Sequence, residues 1–260
     1  MKPAAQVEPA LRRCRPLLGT YVEVAIMGAD ANHPDAVTAI ALAFDAVSEV
    51  QRQMSAHDTQ SDLTRLNAAP AGSTVSVSPM TAEVLALALE IHRLSAGRFD
   101  CGIDGSSIAD LEKTGPLRFA LRRAVRLDLG GIAKGFAVDR AIDTLAGLGF
   151  GNAVVNAGGD MRVSGSAPRA VHIRHPLDPR RVIRIGELCD GASATSASYF
   201  RDGRRWLLDP ATGRRRGDRR SFTVIASRCA WADALTKVLA LGGPRVEECL
   251  GHFGAHGIVL

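Results

Sequence analysis

Strand and helix patterns follow one another irregularly along this 260-residue chain. Residues 21–26 carry apolar side chains at every second position, which is typical of a strand. Pro34 then opens a helix with apolar residues at spacings of three and four, namely Val37, Ile40, Phe44, Val47 and Val50. Further strands are predicted at 126–129, 152–156, 171–174, 182–185, 204–208, 221–226 and 257–260, and further helices at 79–95, 133–149 and 231–241. Because no regular repeat of a strand and a crossover helix appears, we expect an α+β fold with mixed sheets and packed helices, rather than a doubly wound parallel sheet.

The helix at 79–95 has signals at both ends. Ser78 can cap the free backbone N–H groups at its start, and Pro79 suits its first turn. Gly97 suits the left-handed C′ position that follows a helix. No linker rich in Pro, Gly or Ser divides the chain, so we expect a flexible N-terminal segment over residues 1–14 and a single domain over residues 15–260.

The composition excludes an integral membrane protein. Hydrophobic residues make up 46% of the chain, but no stretch approaches the roughly 18–20 apolar residues that a membrane span needs. The first residues do not resemble a signal peptide, so we expect a cytoplasmic protein, or a periplasmic one if a leader has been removed. The five cysteines show no Cys-x-x-Cys spacing and are predicted to be reduced and mostly buried.

The positive charge is concentrated in two clusters. The net charge is +5, and arginines gather at residues 12–15 and 214–220. Such runs are more often solvated loops than sites, although a positive field also attracts phosphate-bearing ligands. No nucleic-acid-binding motif accompanies them and aromatic residues are scarce, so we expect no nucleic-acid partner.

Leu127–Asp139, which reads LDLGGIAKGFAVD, is the segment richest in chemistry. A predicted strand ends at Asp128, paired glycines start a helix, and Lys134 lies in its first turn. Free N–H groups and the positive end of the helix dipole favour an anion there, and the Lys134 charge suits phosphate. The same residues equally suit a helix that packs closely on a strand through small side chains.

Three other segments combine polar groups with turns or a helix start. Residues 156–160, which read NAGGD, follow a predicted strand, where ligand sites often form, although a simple Gly-Gly turn accounts for them equally. Asp209, before Pro210, is more often a turn former than a catalytic acid. Asp233 and Thr236 lie on one face of the last helix, where they complement its dipole or form half of a shell for Mg²⁺.

Eight short segments together resemble the ApbE-type FAD:protein FMN transferases, in that family's order. They cover roughly residues 15 to 245 and read LLGTYVE (17–23), MS…SDLTRLN (54–67), GRFD (97–100), LDLGGIAKG (127–135), NAGGD (156–160), ATS (194–196), DPATG (209–213) and ADAL (232–235). The resemblance implies an ApbE-like α+β domain that binds FAD as substrate. It also implies transfer of FMN, assisted by Mg²⁺, to a Thr or Ser hydroxyl of a target flavoprotein, with release of AMP.

The resemblance also implies roles for particular residues. Those expected to bind FAD are Leu18, His57, Arg98, Phe99, Asp100, Asp128, Lys134 and Leu208. Asp233 and Asp209 are expected to be catalytic. The metal site would use the carbonyl of Gly131, Asp233 and the residue four positions later, Lys237, with Thr236 as the alternative.

Two positions depart from the family's pattern. Lys237 stands where the family commonly has Thr; its ammonium group cannot ligate a cation but could replace one. Trp206 stands where the family frequently has His, and because Trp cannot accept a proton, slow catalysis or another base is expected.

Two further functions remain open at this point. One is a non-catalytic FAD carrier or chaperone, which the residues at 206 and 237 favour. The other is FAD hydrolysis to FMN and AMP, in which water replaces the protein acceptor. AMP production separates the carrier from the enzymes, and covalent flavin on a partner separates the transferase from the hydrolase.

Overall fold

The computed structural model describes residues 9–28, 34–197, 207–210, 212–216 and 219–260. The helices there are α1 (Pro34–Met54), α2 (Asp62–Ala68), α3 (Pro79–Leu94), α4 (Ala133–Gly147), α5 (Cys229–Leu241) and α6 (Val246–His252), with one 3-10 turn at Ile108–Asp110. The strands are β1 (Pro9–Leu17), β2 (Thr20–Met27), β3 (Thr74–Ser76), β4 (Leu111–Gly115), β5 (Arg118–Leu121), β6 (Ala153–Ala157), β7 (Asp160–Ser164), β8 (Arg169–His175), β9 (Asp178–Leu188), β10 (Gly191–Ser196), β11 (Leu207–Asp209), β12 (Arg214–Arg216), β13 (Phe222–Ala226) and β14 (His256–Val259).

A seven-stranded sheet organises the fold, in the order β1-β2-β6-β7-β10-β13-β14. Smaller sheets pair β3-β5-β4, β8-β9 and β11-β12, and the ladders between these strands are antiparallel. The expected α+β class is therefore confirmed, and β14 is the edge strand that the sequence predicts. No helix among the described residues is long and apolar enough to cross a membrane.

The main core lies where α1, α4 and α5 pack together and against this sheet. Ile40, Phe44, Val47 and Val50 of α1 are buried in it, as their spacing predicts. The prediction is wrong for Val37, which the sequence places on the same stripe, because Val37 is 51% exposed. At the start of α1 the buried face is formed by two small residues instead, Ala36 and Ala39.

A second, smaller cluster lies between the sheet and the β8–β9 hairpin. Val163 of β7 is buried against Val171 and Leu188 of the hairpin. The far end of the hairpin is exposed, since Leu177 is 68% accessible.

The predicted strand at 126–129 is wrong. Only Leu127 forms a bridge, with Gly102, and the neighbouring residues are irregular. The side-chain amide of Asn67 explains the difference, because its Nδ2 donates to the Leu127 carbonyl at 3.0 Å and its Oδ1 accepts from the Leu127 N–H at 2.8 Å. One side chain thus satisfies both backbone groups that a neighbouring strand would satisfy.

Two boundaries also differ from the prediction. Residues 9–14, expected in a flexible segment, belong to β1 and pair with β2. Helix α3 ends at Leu94, and the first left-handed residue after it is Ala96 (φ 52°), with Gly97 (φ 78°) next. Ala96 therefore takes the C′ position expected for Gly97, and Gly97 follows as C″, where its N–H donates to the carbonyl of His92 at 2.8 Å.

Helices α4 and α5 meet so closely that no side chain fits at Gly135. A β-carbon there would lie 2.8 Å from the Ala230 nitrogen and closer still to the Cys229 carbonyl. Asp139, one turn along α4, accepts hydrogen bonds from the N–H groups of Cys229 and Ala230, both at 2.9 Å. It therefore caps α5 in place of a side chain on α5's own first residues.

We expect Gly135→Ala to destabilise the fold by about 1–3 kcal/mol, because the added methyl group forces the two helices apart. Gly147→Ala, on the same helix but with open space around it, should be neutral or stabilise by less than about 1 kcal/mol. Urea unfolding of both variants checks this. Equal stability of the two variants would contradict the close approach.

Candidate functional site

Two connected cavities lie at the start of α4. They have volumes of about 750 Å³ and 520 Å³ and share Ile103, Asp128, Gly130 and Lys134. The first is also lined by two predicted FAD-binding residues, Leu18 and His57. The second is also lined by seven predicted site residues: Arg98, Phe99, Asp100, Gly131, Leu208, Asp233 and Lys237. The structure therefore brings together residues from all parts of the chain that the resemblance selects.

Lys134 is the centre of a charged cluster between the main sheet and α5. Its Nζ donates to Asp160 Oδ2 at 2.5 Å, at the start of β7, and to Asp233 Oδ2 at 3.1 Å, on α5. Lys237 follows Asp233 by one turn and donates to Asp233 Oδ1 and, at 2.8 Å, to the Asp233 carbonyl. Two carboxylates and two ammonium groups thus balance in charge.

Burial and charge shift the pKa values of this cluster in opposite directions. Burial raises the pKa of Asp233, but the ammonium groups of Lys134 and Lys237 outweigh it and hold that pKa below its ordinary value. Burial, followed by repulsion from Asp233, raises the pKa of Asp160. For Lys134, burial lowers the pKa, but Asp233 and Asp160 together raise it well above the ordinary value. Asp233 and Lys134 are therefore both charged at neutral pH.

The metal ligands expected from the resemblance do not fit Mg²⁺ here. Each carboxylate oxygen of Asp233 already accepts from an ammonium group, and Oδ2 also accepts from Gly135 N–H at 3.1 Å. The Thr236 hydroxyl donates to the Asp233 carbonyl at 2.7 Å and is bonded to Ser196 Oγ at 2.7 Å. Among the described residues, no group of three or more His, Cys, Asp and Glu could hold a metal ion.

Asp128 makes a local turn at the start of α4. Its Oδ1 accepts a hydrogen bond from Gly130 N–H at 2.8 Å. One amide of the predicted anion site is therefore satisfied by Asp128, so a phosphate would compete with this carboxylate for that amide. Lys134 gives two of its three N–H donors to Asp160 and Asp233, which leaves one donor for an anion.

Leu18 reaches the first cavity from a strained turn. Leu18 and Gly19 join β1 to β2 and both have positive φ, 56° and 69°. A positive φ is uncommon in leucine, and such strain gathers at binding sites. Leu18 N–H donates to Gln51 Oε1 at 2.6 Å, which holds the turn against α1.

The Asp100 carboxylate organises its own loop. It accepts from Gly102 N–H (2.7 Å), Ser107 Oγ (2.6 Å) and Ile108 N–H (2.8 Å), and His92 Nδ1 lies 3.3 Å away. Burial raises the pKa of Asp100, but these bonds outweigh it and hold that pKa below 3.8. Asp100 therefore fixes the wall of the second cavity, and its carboxylate is already occupied.

Two of the predicted site residues do not line the cavities. Asp209 is buried with its carboxylate 3.8 Å from the Arg98 guanidinium, and its carbonyl accepts from Gly213 N–H at 2.9 Å, as in a turn. Thr236 is buried against Ser196 and Asp233. Trp206, where the sequence departs from the family, lies outside the described residues.

Asp160 and Ser196 are the functional candidates that the sequence did not single out. Asp160 ends the segment NAGGD, and Ser196 ends the segment ATS, so both already belonged to recognised motifs. The two residues come together because β7 and β10 are antiparallel neighbours in the sheet, so that the start of β7 and the end of β10 lie beside α5.

A third cavity, of about 620 Å³, meets the second at Gly158 and Thr195. Its walls include Tyr21 and Glu23 of β2 and Arg174 of β8. None of the predicted FAD-binding residues lines it.

Residues 18–109 and 106–252 match the family model of ApbE. The chain belongs to the ApbE family. This confirms the resemblance that the eight segments indicate.

Curated relatives agree with this assignment. The chain is 30% identical over 242 residues to a FAD:protein FMN transferase of Vibrio cholerae, which covers 76% of this chain and 72% of the relative. It is 29% identical over 279 residues to a FAD:protein FMN transferase of Rhodobacter capsulatus, which covers 90% of this chain and 53% of the relative.

Solved structures show the same fold. The flavin transferase ApbE from Vibrio cholerae superposes with a TM-score of 0.83 at 25% identity, over 96% of this chain and 94% of that one. The apo form of the Pseudomonas stutzeri flavinyl transferase ApbE gives a TM-score of 0.84 at 24% identity, over 98% and 91%.

We expect His92→Gln to destabilise the protein more at about pH 5.5 than at about pH 9, by about 1 kcal/mol. Asp100 raises the pKa of His92 above 6.5, so the stabilisation is complete below 6.5 and is lost as the pH rises through the raised value. The lowered pKa of Asp100 keeps the pair intact down to about 3.8. Urea unfolding across this range is the measurement.

His252→Gln is the matched control, because His252 pairs with Glu90 on the surface at 3.1 Å. Exposed pairs contribute little, so its effect should be small at both pH values. If His92→Gln lowers the free energy of unfolding equally at both pH values, the proposed pH-dependent pairing of His92 with Asp100 is wrong.

Proposed function

We propose that this protein transfers FMN from FAD to a Thr or Ser hydroxyl of an acceptor flavoprotein and releases AMP. The observation that carries the proposal is the pair of cavities joined at Lys134, which are lined by residues from most of the segments shared with the flavin transferases. The names of the curated relatives support the same reaction.

The reaction exchanges the phosphoanhydride bond of FAD for a phosphoester bond to the acceptor. The acceptor hydroxyl oxygen attacks the phosphorus of the FMN half, a new O–P bond forms, and the P–O bond to AMP breaks. Negative charge spreads over the phosphoryl oxygens and the AMP leaving group, so fixed positive charges beside them lower the barrier. Lys134 and Lys237 both line the second cavity, and each has one N–H donor that is not given to Asp160 or Asp233 and can bond to those oxygens.

The hydroxyl proton needs an acceptor. Asp160 is our candidate, since it lines the second cavity next to the Gly158–Gly159 turn at which the third cavity begins. Its raised pKa makes it a stronger base than an ordinary carboxylate. Asp233, whose pKa is lowered, instead positions the two lysines.

The expected reaction includes Mg²⁺, but the described residues offer this ion no free carboxylate oxygen at Asp233. The Asp233 oxygens are engaged by lysines, and the charge stabilisation and the proton transfer both use the chain's own side chains. The ion stays a prediction, which metal titration tests.

The third cavity suits the acceptor segment. The predicted FAD-binding residues are all found in the first two cavities, whereas the third opens from the exposed Tyr21 toward Gly158 and Thr195. A Thr- or Ser-bearing segment lying there would present its hydroxyl to the phosphoryl group through the second cavity, which the third meets at Gly158 and Thr195.

We expect FAD to bind at least about tenfold more tightly than FMN, because FAD alone occupies both joined cavities. Isothermal titration calorimetry with each flavin measures the ratio.

AMP release and covalent flavin on the acceptor, followed by mass spectrometry, should appear only when acceptor is present.

The alternatives give different results in the same experiment. AMP without labelled acceptor would indicate FAD hydrolysis, and FAD binding without AMP under any condition would indicate a carrier. Equal affinity for FAD and FMN would contradict the two-cavity assignment.

Tyr21→Ala should raise the KM for the acceptor about three- to tenfold and leave FAD affinity unchanged, since an interface aromatic contributes about 1 kcal/mol or more. Tyr21 is 73% exposed at the mouth of the third cavity. Leu177→Ala is the control: Leu177 is similarly exposed but lies on the hairpin turn outside this cavity. An acceptor KM that moves with Leu177 and not with Tyr21 would place the acceptor elsewhere.

A further inference from the structure

We propose that the ammonium group of Lys237 is a built-in cation that replaces a resident metal ion, so that the protein needs no bound divalent ion at Asp233. The catalytic part of this inference rests on the proposed FMN transfer; the binding part does not.

Lys237 occupies oxygen atoms of Asp233 that a metal ion would need as ligands. It donates to the Asp233 carboxylate oxygen Oδ1 and, at 2.8 Å, to the backbone carbonyl of the same residue. Its stem passes Gly131, the other predicted metal ligand, since a β-carbon at Gly131 would lie 3.5 Å from Lys237 Cε. The ammonium group of Lys237 therefore lies at Asp233, and its stem lies beside Gly131, the two residues that the resemblance names as metal ligands.

The charges of the cluster are already balanced. Asp160 and Asp233 face Lys134 and Lys237, and both carboxylates are nearly inaccessible to solvent. A divalent cation added beside two ammonium groups would be repelled at short range and would have to displace their hydrogen bonds. Without the Lys237 charge, one net negative charge would remain, and a hard cation would be attracted.

Thr236 does not restore the missing metal ligand. Its hydroxyl is buried, donates to the Asp233 carbonyl at 2.7 Å and lies 2.7 Å from Ser196 Oγ. It is absent from the lining of the second cavity, which Lys237 does line. Between the two alternatives that the sequence leaves open, the geometry favours replacement of the ion.

One donor of Lys237 remains for a ligand. An ammonium group has three N–H donors, and two of them face the Asp233 oxygens. The third can reach a phosphate oxygen in the second cavity. Lys237 would then give the pyrophosphate of FAD one hydrogen bond from a charged donor.

The binding experiment uses Mn²⁺ and the flavin-free protein, with calorimetry and electron paramagnetic resonance as readouts. Lys237→Thr removes the charge and adds a hydroxyl, while Lys113→Thr, on exposed β4, is the matched control. We expect wild type and Lys113→Thr to bind Mn²⁺ only weakly. Lys237→Thr should gain one site at least about tenfold tighter, and the double variant Asp233→Asn/Lys237→Thr should lose it.

The activity experiment follows FMN transfer in EDTA and in Mg²⁺. Wild type and Lys113→Thr should be equally active in both conditions, whereas Lys237→Thr should become dependent on Mg²⁺. One tight Mn²⁺ ion on wild type that disappears in Asp233→Asn, or loss of wild-type transfer in EDTA, would overturn the inference.

The two proposals fail in different ways. If no variant produces AMP with any acceptor while the Mn²⁺ pattern holds, the proposed transfer is wrong and the built-in cation stands. If Lys237→Thr does not fold, as judged by its thermal unfolding, the wild-type measurements in EDTA and with Mn²⁺ still decide the question.

Discussion

The cap that Asp139 places on α5 determines where the charged groups of this protein lie. Asp139 belongs to α4, yet it accepts from the first two N–H groups of α5, and Arg162 Nη1 lies 3.0 Å from the same carboxylate. Gly135 permits the close approach that this cap requires. With the two helices fixed together, Lys134 at the start of α4 meets Asp233 on the first turns of α5.

The described residues form two ionic groups at these helices, and only one of the two faces the first and second cavities. Asp139 with Arg162 and Arg228 forms one ionic group behind the helices, and Lys134 with Asp160, Asp233 and Lys237 forms another in front, facing the cavities. The group behind orients the helices, whereas the group in front stays partly open, because Lys134 and Lys237 keep a third and a fifth of their side chains exposed. Of these two groups, the front one lines the second cavity and can contact an anion bound there.

Sequence reasoning recovered the elements with strong local signals and missed those fixed by pairing. The apolar spacing of α1, the Ser78 cap of α3 and the helix after Gly130-Gly131 depend on neighbouring residues, so the sequence predicts them. Strands β1 and β7 carry arginines, which weaken their apolar alternation, and only their pairing with β2 and β6 defines them. Leu127 is bound by Asn67, sixty residues earlier in the chain. For the site, family-like motifs located the residues, but the engagement of Asp233 by two lysines required three-dimensional distances.

The hold of Asn67 on Leu127 also decides to which part of the fold the wall beside Asp128 is attached. Residues 126–130 line the first and second cavities, and their backbone is bonded to α2 through Asn67 and to residues 101–106. Ile103 N–H donates to the Arg126 carbonyl and Asp128 N–H donates to the Cys101 carbonyl, both at 2.8 Å. The position of this wall therefore depends on α2 and on residues 101–106, rather than on a ladder of the seven-stranded sheet.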